Sequence, residues 1–198
     1  MKLTRDFYER PDVVHIAKDV LGKVLYTKVD GKHTAAIITE VEAYAGRNDM
    51  ACHANNGLRS KRTEVMYGQG GFSYVYLCYG IHHLFNIVTN QEDKADAILV
   101  RGVEPLLGKE VMLERRNQEK VTPKLSSGPG TLAQALGIKT NNHYGIDLLG
   151  NTIWLEERTT IVPEAIVSTT RIGVDYAGED ALKPWRFYIK DSAWVSKK

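Results

Sequence analysis

At 198 residues, with 43% hydrophobic and 25% charged side chains, the chain is long enough to bury a core and too apolar to be disordered. Its 26 Lys and Arg against 24 Asp and Glu leave a net charge of +2, so contact with a polyanion has to come from local patches. No apolar run approaches the ~20 residues of a membrane span, and the opening Met1-Lys2-Leu3-Thr4-Arg5-Asp6 lacks the apolar stretch of a signal peptide, which makes the cytoplasm the expected location.

Residues 11–21 read as a helix: Val13, Ile16, Ala17, Val20 and Leu21 recur at helical spacing, Pro11 suits a first turn, and Gly22 supplies a stop. Residues 23–28 and 35–44 read as two strands joined by the tight turn Asp30-Gly31. A polar, basic segment over 59–66, a candidate short helix, ends at the glycines of 68–71. From Val65 to Gln91 there is no Asp, Glu, Lys or Arg, and strands over 72–77 and 84–90 flank Tyr79-Gly80, the pattern of a hairpin. Beyond it come a strand over 98–103, a helix over 106–116, and a helix over 129–136 entered through Ser126-Ser127-Gly128. Short strands over 152–155, 172–174 and 185–189 complete the chain. With no repeat, low-complexity tract or linker, one α+β domain over 1–198 is expected, an antiparallel-rich curved sheet flanked by helices.

Cys52 and Cys78 are too few for a disulfide framework and lack CxxC spacing. Adjacent side chains such as Cys52-His53 and His82-His83 point to opposite sides of a strand, and no HExxH accompanies them, so no metal is expected.

Strand alternation puts Glu40, Glu42 and Tyr44 on one face, with Val41 and Ala43 on the other. Two like charges there need a cation, and Arg101, interrupting the apolar run Ile98-Leu99-Val100, is the candidate. A structural ion pair with solvated carboxylates accounts for the same three residues. Tyr74 and Tyr76 share a strand face, where packing alone is a sufficient reason for them. Tyr79 differs: at a hairpin tip no core receives it, and an aromatic so placed is suited to contact or to wedging into a base stack. Arg59, Lys61 and Arg62 form a small basic cluster of the kind that meets phosphates, although three such residues also suit a solvated loop.

Glu42-Ala43-Tyr44, His53, Tyr74-Val75-Tyr76 through Tyr79-Gly80 to Asn86, and Leu99-Val100-Arg101 together resemble the alkyladenine (3-methyladenine) DNA glycosylases. Ser127-Gly128-Pro129, Arg171-Ile172-Gly173 and Lys183-Pro184-Trp185-Arg186-Phe187-Tyr188 extend the resemblance from about Arg5 to Ser196. It implies a compact domain with a protruding, DNA-inserting hairpin and no metal or organic cofactor. Glu42 would activate the attacking water, with Arg101 and the Ile172 carbonyl helping to position it. Tyr44 and Tyr76 would sandwich the extruded base, His53 would meet its edge, Asn86 would line the floor and refuse a guanine amino group, and Tyr79 would fill the vacated space. The implied partner is double-stranded DNA with damaged purines; a nucleoid-associated monomer, the default for an enzyme that must lie along a duplex, with no obligate protein partner is expected.

These residues suit that chemistry. Extruding a nucleotide costs a few kcal/mol, which stacking at ~1–3 kcal/mol per base offsets. Alkylated purines are cationic, so tyrosine faces attract them and they depart without a strong acid. A carboxylate to deprotonate water is then the remaining need. Glu40 tempts an acid/base pairing with Glu42, but it sits a pleat farther from Tyr44. Neutral deaminated bases would need a proton from a donor that the sequence does not name. A non-catalytic nucleic-acid-binding module, with Glu42 a bystander, is the competing expectation.

Overall fold

The computed structural model describes residues 1–198. After α1 (Arg5–Tyr8), α2 (Val13–Val20) buries Val13, Ile16, Ala17 and Val20. Pro11 lies outside this helix, correcting the first-turn expectation: Asp12 is extended, and its carboxylate accepts the N–H groups of Val14 and His15, so it is the cap. Strand β1 (Val24–Val29) turns at Asp30 and Gly31, both at positive φ, into β2 (Lys32–Tyr44). Next come β3 (Ser73–Cys78), β4 (His82–Thr89), β5 (Asp96–Leu107), α3 (Lys109–Arg116), α4 (Pro129–Leu136), α5 (Thr140–His143), β6 (Ile153–Glu156), β7 (Ile166–Thr169) and β8 (Arg186–Ile189).

Two further sequence expectations are corrected. Leu106 and Leu107 belong to β5, Leu107 pairing with Ala35, and the helix waits for the left-handed Gly108. Residues 172–174 form no strand, because the Ile172 N–H is given to a side chain rather than to a ladder, and β7 takes the strand role upstream.

The strands join in one eight-stranded sheet of antiparallel pairs, ordered β3-β4-β5-β2-β1-β6, with β8 bridging β2 and β7. β2 is its spine. Its first half pairs with β1 and its second half with β8, the change falling at Thr39, where the register with β5 also shifts. A Cβ on Gly102 at this bulge would lie 2.5 Å from the Trp194 carbonyl oxygen, so only glycine lets β5 and the C-terminal segment approach so closely.

Period-two alternation then divides the sheet into two faces. Val41, Ala43, Val75, Phe85, Ile87, Ile98 and Val100 point into the main core with α2 and α4 (Leu132, Ala133, Leu136). Their neighbours Glu42, Tyr44, Tyr74, Tyr76, Asn86, Leu99 and Arg101 take the opposite face. There a smaller cluster around Cys52, Ala54, Met66 and Tyr67 packs beneath the loops that follow β2.

Candidate active site

The second face of the sheet opens into a cavity of about 500 Å³. Tyr44, His53, Tyr76, Asn86, Arg101 and Ile172, six residues expected to form a site, all line it, with Tyr79 and Arg62 at its edge. That volume suits a purine, and the walls are mostly apolar with a few polar groups.

Glu42 lies behind this wall, fully buried. The Tyr44 hydroxyl donates to its Oε2 at 2.7 Å and Arg101 Nη1 to the same oxygen at 3.3 Å, while the Ile172 backbone N–H donates to Oε1 at 2.7 Å. These three donors leave one of the carboxylate's about four acceptor sites open, on Oε1. Burial and the neighbouring Glu42 push the Tyr44 hydroxyl well above its ordinary range, so it stays a donor. Burial alone would lower the Arg101 pKa, but Glu42 and Glu40 together hold it raised.

Glu40 is also fully buried, but its partners lie toward the C-terminal segment. Its carboxylate accepts from Arg101 Nε at 3.2 Å, Arg186 Nη1 at 2.9 Å and Ser196 Oγ at 2.8 Å, and from the Ser196 N–H. This carboxylate ties the C-terminal segment to the sheet, and Glu40 is not among the residues that line the cavity.

The aromatic walls are tightly coupled. Tyr74 and Tyr76 have ring centroids 5.3 Å apart, and the His53 ring stands edge-on to Tyr76 at 4.8 Å. His53 Nδ1 lies 2.9 Å from the Tyr74 hydroxyl. Burial, and then the adjacent Arg62, lower the His53 pKa from 6.5 to about 4, so the imidazole is neutral at physiological pH. Asn86 Nδ2 donates to the Tyr74 carbonyl at 3.0 Å, which fixes the amide in the floor. At the hairpin tip Tyr79 is 90% exposed, with Leu77 and Ile81 exposed beside it.

The basic cluster divides. Arg59 is bridged to Glu64 at 2.7 Å and to Asp93 at 3.2 Å and lies over the Tyr67 ring. Lys61 is exposed, its ammonium without a protein acceptor. Arg62 turns to the cavity, its guanidinium 4.6 Å from the Tyr76 ring centre.

Sequence reasoning overlooked several supports. Arg171 and Asp49 form a fully buried ion pair, Nη2 to Oδ1 at 2.7 Å, and Arg171 stacks under Tyr44 at 4.8 Å while donating to the Ala43 carbonyl. The Tyr74 hydroxyl, Tyr176 and Pro129 also contribute to the cavity. An Asp-to-Arg contact across 122 residues has no local signature; Arg171 entered only within the segment Arg171-Ile172-Gly173 that carries the resemblance, with no partner named for it. No group of three or more His, Cys, Asp or Glu side chains converges as metal ligands would.

Comparison with known proteins shows the family. The family described as Methylpurine-DNA glycosylase matches residues 6–193. A protein of Methanocella arvoryzae named "Putative 3-methyladenine DNA glycosylase" is 44% identical over 197 residues, covering 99% of this chain and 96% of its own. Proteins of the same name from Alkaliphilus oremlandii (45% identical, 100% of both chains) and Chlamydia felis (40% identical, 94% of this chain and 95% of the relative) are similar along their whole lengths.

Proposed function

Because the chain belongs to the methylpurine-DNA glycosylase family, we propose that it turns an alkylated or deaminated purine out of duplex DNA and hydrolyses the N-glycosidic bond with a water held by Glu42. It is a DNA glycosylase, and so an enzyme of DNA repair that starts base excision. The observation that carries the finer reading is Glu42: a buried carboxylate held by Tyr44, Arg101 and the Ile172 N–H, with one acceptor site open beside a purine-sized cavity.

In this reading the base leaves the stack and lies against Tyr44 and Tyr76, with the His53 edge available for hydrogen bonding and Asn86 beneath it. Tyr79 enters the duplex, repaying part of the few kcal/mol that flipping costs. As the sugar becomes oxocarbenium-like, water attacks C1′ and passes its proton to Glu42. Arg101 and the Ile172 backbone hold the carboxylate and the water in place. A cationic alkylated base departs neutral and needs no acid. Lys61 is the free cation for a phosphate, while Arg59 shapes the loop through Glu64 and Asp93. The protein acts as a monomer lying along the duplex.

The test is single-turnover excision at saturating enzyme from a duplex with one hypoxanthine or ethenoadenine, wild type beside Glu42→Gln. Alkali-sensitive cleavage should fall by about 10²–10⁴-fold with DNA affinity retained. Cleavage by the variant at the wild-type rate would remove Glu42 from the reaction, and intact strands with both proteins would favour a non-catalytic binder.

A further inference from the structure

Arg62 is the one arginine of the cavity whose charge is not taken up by a carboxylate. Arg101 is bound to Glu40 and Glu42, and Arg171 to Asp49. Arg62 Nη2 instead lies 3.1 Å from His53 Nε2 and 3.3 Å from His53 Nδ1, and the guanidinium rests over Tyr76. A planar cation with unspent N–H donors therefore stands beside His53 and over Tyr76, among the residues that line the cavity.

The other proton-bearing groups of the cavity are poor acids. His53 is neutral above about pH 4, and burial raises the Tyr74 and Tyr76 hydroxyls, Tyr74 to about 12. Glu40 does not line the cavity and is tied to Arg101, Arg186 and Ser196, and Glu42 is reserved for the water. Excision of a neutral purine nevertheless builds negative charge on the leaving base, and something has to receive it.

We propose that Arg62 is a catalytic residue for neutral lesions, donating hydrogen bonds to the O6/N7 edge of a departing deaminated purine. This rests on the glycosylase reading above. The C1′–N9 bond breaks with its electron pair going to the purine, water oxygen bonds to C1′, and the water proton goes to Glu42. With a cationic methylated base that pair merely neutralises the base. With hypoxanthine it creates an anion spread over the imidazole ring and O6, which the Arg62 N–H groups stabilise while keeping their protons. The anion takes its proton from solvent after release. A fixed cation here favours bases that present acceptors and opposes bases already positive, so Arg62 sets lesion choice as well as rate.

The experiment compares wild type, Arg62→Met and Arg62→Lys under single turnover at saturating enzyme, which removes differences in DNA affinity. One substrate carries hypoxanthine; the other is methylated duplex DNA, scored by released alkylated bases. In Arg62→Met the ratio of hypoxanthine to alkylated-base excision should fall about 100-fold, the scale of one lost oxyanion-type donor, and Arg62→Lys should recover part of it. An unchanged ratio would overturn the assignment, as would a uniform loss that higher enzyme concentration restores, the mark of a phosphate contact. Wild-type release of alkylated bases with no hypoxanthine excision would also overturn it. A wild type that releases neither base would instead sink the glycosylase reading itself.

Discussion

Glu40 and Glu42 carry the same group two positions apart on one strand face, and their surroundings give them opposite work. Four donors tie Glu40 to two arginines and to Ser196, whereas Glu42 is held by Tyr44, Arg101 and Ile172, three residues that line the cavity. Glu40→Ala therefore leaves Arg101 and Arg186 buried without their shared counter-charge. It should destabilise the fold by about 3–5 kcal/mol, read as a shift in the denaturant midpoint, where Glu42→Gln acts on rate. Asn86 makes a prediction of another kind. Its amide is pinned to the Tyr74 carbonyl and cannot swing away from an incoming amino group. Asn86→Ser should raise excision or binding of undamaged guanine relative to hypoxanthine, and an unchanged preference would free Asn86 from that role.

The hairpin β3–β4 shows function set against local conformational preference. Tyr79 and Gly80, in the three-residue connection 79–81, have φ of 51° and 73°, a pair of conformations that ordinarily takes Asn-Gly. A tyrosine there costs roughly 1 kcal/mol relative to asparagine, and its ring gains nothing from the core in return. Tyr79→Asn should accordingly stabilise the protein by about 1 kcal/mol while lowering excision from duplex DNA more than from single strands. A variant both less stable and fully active on duplex would contradict this. At β2, the bulge near Thr39 lets one strand serve two neighbours, β1 and then β8. That change brings Arg186 and the C-terminal Ser196 onto Glu40 beside the site.

Across the whole molecule, histidine titration sets the response to mild acid. His53, His83 and His143 all have lowered pKa values, burial being the largest cause for each. Between about 6.5 and 4, the window set by His53, the unfolded chain takes up protons that the folded protein refuses. Stability should therefore be flat above pH 6.5 and decline as pH falls toward 4. Denaturant titrations at several pH values check this, and His53→Gln should flatten the slope. A stability that rises on acidification through this window would refute the burial argument.

Local chemistry was enough to reveal much of the chain. Alternation exposed the strand carrying Glu42 and Tyr44, the charge-free tyrosine run exposed the hairpin, and the Gly22 and Asp30-Gly31 turns appeared close to where they lie, because side-chain periodicity and positive-φ residues act within a few positions. The α+β class followed from those elements. Other features came only from contacts between distant segments. Which partners hold Glu40 and Glu42 depends on Ser196, Arg186 and Ile172, more than 100 residues away. The same distance hid the Asp49–Arg171 pair and the loss of a strand at residues 172–174, while the divergent fates of Arg59, Lys61 and Arg62 came from the way their loop folds against Glu64, Asp93, His53 and Tyr76. A residue's type and its immediate neighbours determine what it can donate or accept; the folded surroundings decide which of those capacities is already spent.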